Sequence, residues 1–73
     1  MKEITIKTEY IKLDSFLKYA GLVSTGGEAK SLISSGRVKI LGESCTKRGK
    51  KLTDGTVLCV DDEEYKVLKA WKF

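Results

Sequence analysis

STGGEAKSLISSGRVKILG, running from Ser24 to Gly42, is the stretch whose reading decides the fold. Thr25 with Glu28 three positions later forms a capping box, so a helix is predicted to begin there. Ala29, Leu32 and Ile33 recur at helical spacing and mark its buried face over about Gly26 to Ser35. Gly36 suits a left-handed C-terminal cap. From Arg37 the period shortens to two: Val38 and Ile40 point one way, Lys39 and Leu41 the other, which is a strand. Gly26 and Gly27 fall in the first helical turn, where each costs up to about 1 kcal/mol relative to alanine. Two readings of the pair are open. Bare first-turn amides at an electropositive helix end can receive a close-approaching anion. Alternatively, the glycines let two helices pack closely.

Upstream, Glu3 to Thr8 alternates with Ile4 and Ile6 on one side, the pattern of a half-buried strand. In EYIKLDSFLKYAG, Leu13, Phe16, Leu17 and Ala20 lie on one face of a first helix that Gly21 stops. Lys12 and Lys18 lie off that stripe, and Tyr10 and Tyr19 are candidates either for base stacking or for partly buried packing. Leu22 and Val23 form a tight apolar link, so the two helices should pack on each other. Downstream, Gly42-Glu43 is a hairpin turn with a return strand near Ser44 to Thr46. KRGKK, Lys47 to Lys51, is a basic loop or strand edge, after which Leu52 re-enters the core and Asp54-Gly55 turns the chain. Thr56 to Val60 is the most apolar run and is expected to be the central strand. Asp61 to Glu64 is an acidic turn, Tyr65, Val67 and Leu68 make a last strand, and Trp71 and Phe73 are expected to close over the sheet.

The 73 residues are expected to form one domain, 1–73, with a thin core, because a chain of this size buries only about 60–65% of its unfolded surface. No apolar run approaches the roughly 20 residues of a membrane span, and the alternating N-terminus is unlike a signal peptide. With two cysteines, the expectation is a cytoplasmic protein with reduced thiols and no membrane partner. Residues 1–53 carry a net charge of +6 and residues 54–73 a net of −2, giving the overall +4. Such asymmetry suits a polyanion on one side, or is simply a solvated surface. Enzyme chemistry finds little support. There is no histidine, Cys45 and Cys59 lack companions for a metal set, the acidic turn lacks calcium-loop spacing, and no serine has a base beside it. No catalytic residue, metal or cofactor is expected. The basic residues instead come from helix 2 (Lys30), the helix-to-strand corner (Arg37, Lys39) and KRGKK, and would share one face if the hairpin folds back on the helices. Phosphate contacts from such a face position a protein on RNA without reading sequence.

The run from Ile11 to Gly42 resembles the S-four RNA-binding domain, a family named for a small-subunit ribosomal protein. The matching motifs are Lys12-Leu13-Asp14, Ser24-Thr25, Ala29 with Leu32-Ile33, Gly36 with Val38, Ile40 and Gly42, and the later Lys51-Leu52 with Gly55-Thr56. The double glycine with Glu28-Ala29-Lys30 and the basic run is most similar to the stand-alone YaaA/YbcJ-type branch. The resemblance covers about residues 10–68. It implies an α+β fold in which two short antiparallel helices pack on a small bent, mostly antiparallel sheet, the alpha-L motif. It also implies RNA binding by the helix pair and basic loop, with Lys12, Thr25, Gly26, Gly27, Lys30, Arg37, Lys47, Arg48 and Lys50 as contact positions. The expected role is a non-catalytic module that holds structured RNA, ribosomal RNA ahead of transfer RNA, in ribosome assembly or translation, with a monomer as the simplest reading of so small a chain. The competing role is a protein-interaction adaptor that docks on an acidic ribosome-associated partner. Leu41 replaces the family's asparagine and Thr56 its aspartate, so a differently shaped hairpin and the loss of one turn contact are expected. Gly26 and Gly27 stand where many relatives carry arginine, so phosphate contact there would lean on backbone amides.

Overall fold

Two helices lie on one face of a five-stranded sheet, with a two-stranded ladder beside it. The computed structural model describes residues 1–70. In chain order the elements are β1 (Lys2–Ile6), β2 (Tyr10–Lys12), α1 (Leu13–Tyr19), α2 (Gly26–Ser34), β3 (Val38–Ile40), β4 (Glu43–Ser44), β5 (Lys51–Thr53), β6 (Val57–Val60) and β7 (Glu63–Lys69). The large sheet has the order β1-β7-β6-β3-β4, and β2 pairs with β5. Every neighbouring pair is antiparallel except β1 with β7, which run parallel with Ile4 opposite Val67. This is the expected α+β class, and the apolar run at Val57–Val60 occupies the middle of the sheet.

Local chemistry fixes the helix pair. Thr25 adopts extended backbone angles, and its Oγ1 accepts a hydrogen bond from the Glu28 N–H at 3.2 Å. The Glu28 carboxylate returns to accept from the Ser24 N–H at 3.1 Å, so the capping box closes one residue further out than the simplest pattern. At the end of α1, Gly21 takes φ +76° and donates to the Lys18 carbonyl, while Leu22 donates to that of Leu17. This paired arrangement is the Schellman motif, which needs a left-handed residue at the position Gly21 fills. It reverses the chain within a few residues and lays α2 antiparallel on α1.

The core sits between the helices and one face of the sheet. Leu13, Phe16 and Leu17 of α1 and Ala29 and Ile33 of α2 are buried against Val38, Ile40, Leu58, Val60, Tyr65 and Val67. Phe16 meets Tyr65 edge to face, with ring centroids 6.2 Å apart. Because Val38 and Ile40 face the helices, Lys39 between them projects from the opposite side of the sheet.

The structure departs from the sequence expectations at three places. The first strand ends at Ile6, and Tyr10 to Lys12 extend as β2 instead of joining helix 1. Leu41 and Gly42, both at positive φ (54° and 85°), form the β3–β4 turn, because Ile40 pairs with Glu43. The turn therefore lies one residue earlier than expected, and the return strand is only Glu43–Ser44. Thr56 does not cost the β5–β6 turn its contact: its hydroxyl accepts from the Thr53 N–H at 3.1 Å. The expected closure by Trp71 and Phe73 lies outside the described residues.

Candidate nucleic-acid interface

β2 and β5 bring the basic residues into contact with the helix pair. Lys12 pairs directly with Lys51 across this ladder, and alternation puts both on the same exposed side. Like charges directly opposite one another destabilise a strand pair, so the ladder exists despite this contact. Leu52, fully buried, supplies its anchor in the core. The KRGKK loop then folds against the start of α1. The Leu13 N–H donates to the Lys50 carbonyl at 2.9 Å and the Asp14 N–H to the Arg48 carbonyl at 3.2 Å. A further bond from the Lys50 N–H to the Lys47 carbonyl, 3.2 Å, tightens the loop into a turn. The first turn of α1 has no side-chain cap, so the loop's carbonyls take over that task. With the backbone used in this way, the side chains of Lys47, Arg48 and Lys50 are all left exposed.

Of the residues singled out from sequence, Lys12, Lys47, Arg48 and Lys50 are thus gathered at the N-terminal end of α1. Among the described residues, none of the four has a carboxylate partner. Lys51 belongs to the same cluster, and so does Tyr10 beside it. Lys51 Nζ lies over the Tyr10 ring at 4.9 Å from its centroid. Sequence reading passes over Lys51 as a contact, although it sits within KRGKK, because its position opposite Lys12 depends on a ladder between distant segments.

Thr25, Gly26, Gly27 and Lys30 belong to the N-terminal half of α2, which follows the C-terminal end of α1. The basic loop instead packs at the N-terminal end of α1, so the two groups lie toward opposite ends of that helix. A Cβ added at Gly26 would meet nothing within 4 Å, and one at Gly27 would meet only Thr25 Oγ1 at 3.9 Å. The close-packing reading of the two glycines therefore has no partner within the described fold. Both residues, like Lys30, are exposed.

Arg37 is differently placed. It lies beyond the opposite end of α2, and its guanidinium grips Asp61 in a two-armed ion pair, with Nη2 to Oδ2 at 2.6 Å. The Asp61 N–H also donates to the Arg37 carbonyl at 3.2 Å. Thr25, Gly27, Ser31, Ser35, Arg37 and Asp61 line one open groove of about 730 Å³ along α2. Glu28 also lines it, so the groove carries two carboxylates against one guanidinium. At the loop and ladder, by contrast, Lys12, Lys47, Arg48, Lys50 and Lys51 have no ion-pair partner among the described residues. No group of three or more His, Cys, Asp or Glu side chains that could hold a metal ion occurs among the described residues. No helix of the structure is long and apolar enough to cross a membrane.

The S4 domain family model matches residues 4–68, from the first strand into the last. The chain belongs to the S4 domain family. A "Probable ribosome maturation protein RlbA" of Bacillus subtilis (strain 168) is 40% identical over 58 residues, which is 80% of this chain and 82% of that protein. The crystal structure of the 30S ribosomal protein S4e from Thermoplasma acidophilum superposes with a TM-score of 0.69 at 23% identity. That match covers 82% of this chain and 32% of the ribosomal protein, so the S4 fold here corresponds to about a third of the larger chain.

Proposed function

We propose that this S4 domain is a non-catalytic RNA-binding module that holds structured RNA by its phosphates and acts in ribosome assembly or translation. Ribosomal RNA is the first candidate and transfer RNA the second, bound by a single copy of the chain in the cytoplasm. The observation that carries the reading is the Lys12–Lys51 pairing with the exposed Lys47, Arg48 and Lys50 side chains around it. A fold that sets like charges against each other without neutralising them gains most when a polyanion covers them. The likeness to a protein named for ribosome maturation supports ribosomal RNA as the target. Gly26 and Gly27 with Lys30 offer a second, backbone-based contact toward the other end of α1.

The test is the salt dependence of binding to ribosomal RNA fragments. Arg48→Ala and Lys50→Ala are each expected to weaken binding and to flatten the plot of log affinity against log salt by about 0.7–0.9, the value for one phosphate contact. An unchanged slope in both variants would remove the loop from the interface. Wild-type protein that ignores RNA but retains a protein partner after nuclease treatment would support the adaptor role instead.

A further inference from the structure

The aromatic at the edge of the basic cluster is not tied down by a side-chain hydrogen bond among the described residues. Tyr19 is: its hydroxyl donates to the Thr5 carbonyl at 2.9 Å and so ties the end of α1 to β1. Tyr10 has no such role. Its backbone carbonyl accepts from Thr8 Oγ1 at 2.7 Å, but the residue remains 40% exposed and lies outside the buried core. The Lys51 ammonium is set against that ring. Alternation along β2 puts Tyr10 on the same side as Lys12, and its cross-strand partner Thr53 is on the same side as Lys51. A planar aromatic surface thus stands beside the Lys12, Lys51 and Thr53 side chains on one side of the ladder.

We infer that Tyr10 is a stacking platform for one unpaired nucleobase, so that the RNA this domain selects carries a flipped-out or overhanging base beside a duplex. The inference rests on the RNA-binding reading above and narrows it from shape alone to shape plus one accessible base. A stacked base presents its own phosphate to Lys12 and Lys51, which relieves the repulsion between them. The Lys51 ammonium over the ring makes a base–tyrosine–cation sandwich, in which stacking and cation–π attraction act on the same ring. Along a uniform duplex Tyr10 finds no exposed base face, because the bases are stacked on each other; only the outer face of each terminal pair is open, and its bases are held by pairing.

The test uses two RNAs of equal charge: a blunt duplex, and the same duplex with one base pair fewer and an unpaired purine on each 3′ end. Affinity is measured for wild type, Tyr10→Phe and Tyr10→Leu, with circular dichroism to show that each variant is folded. The wild type is expected to prefer the overhang RNA by about ten-fold, within the range that base–aromatic stacking supplies. Tyr10→Phe should keep that preference, and Tyr10→Leu should lose it, whatever the change in its affinity for the blunt duplex. Equal affinity of wild type for the two RNAs, or an undiminished preference in Tyr10→Leu, would overturn the stacking role while leaving phosphate binding intact. Failure of wild type to bind either RNA would overturn the RNA-binding reading, and the stacking role with it. A 5-iodouridine at the unpaired position should crosslink to Tyr10 under ultraviolet light, and crosslinking elsewhere would count against it.

Discussion

Leu41 holds φ at 54° on the tip of the β3–β4 hairpin, with 79% of its surface exposed. A left-handed conformation costs a side chain with a Cβ roughly 1–2 kcal/mol, and asparagine or glycine much less. Leu41→Asn is therefore expected to stabilise the domain by about 1 kcal/mol, seen as a rise of several degrees in the thermal midpoint. No rise would mean that the leucine is supported by a contact the turn does not reveal. Gly26 and Gly27 make the opposite case. Replacing either by alanine meets nothing closer than Thr25 Oγ1, at 3.9 Å from a Cβ on residue 27, and should raise helix stability by up to about 1 kcal/mol. If a phosphate approaches those amides, the same change should weaken RNA binding, so stability and affinity would move in opposite directions. Asp61→Asn should release Arg37 at a cost below about 1 kcal/mol, since the pair is half-exposed. RNA binding should then become tighter and steeper in salt; unchanged binding would leave Arg37 outside the interface. The capping residues Thr25 and Glu28 are legible in sequence because each acts within four residues. The engagement of Arg37 by Asp61 is not, because the partner comes from a turn late in the chain.

At the level of elements, the same distinction separates α2 from β2. Helix 2 announces itself through its box, its apolar spacing and Gly36, all local. Tyr10-Ile11-Lys12 has too few residues to show a period, runs straight into α1, and is extended because β5 lies alongside it. The parallel match of β1 with β7 is likewise a property of the assembled sheet. Of the candidate interface, the composition of KRGKK is legible, whereas its work as the cap of α1 is not. That cap predicts slow hydrogen exchange for the Leu13 and Asp14 amides, which most helices leave open in their first turn. Deleting Gly49 should abolish that protection; retained protection would show that the loop does not hold the helix start. Leu52→Ala should cost about 2–5 kcal/mol, because a fully buried side chain is the anchor of the ladder. It should also loosen the basic cluster, so RNA binding would fall in the fraction of protein that remains folded.

Over the whole molecule, the buried face of the sheet contains one titrating group whose behaviour is altered. Burial, reinforced by the nearby Glu63 carboxylate, raises the Tyr65 phenol above its ordinary value of 10.0. The unfolded chain then loses this proton first, so stability is fully present below about pH 10 and declines as the pH climbs through the raised folded value. Tyr65→Phe should flatten that alkaline decline in denaturation measured from pH 9 to 12; an unchanged decline would place its origin elsewhere. The order of synthesis gives the sheet a further property. The link between α1 and α2 and the cap of α2 have their partners within one short stretch, and only the start of α1 waits for the Lys47–Lys51 loop, whereas the one strand that pairs with β1 among the described residues is β7. During translation the first strand therefore emerges with its ladder groups unpaired and stays so until β7 has been made. The helix pair can nucleate early, but the fold closes late, and a chain stopped before Glu63 leaves β1 as an orphan edge open to other strands.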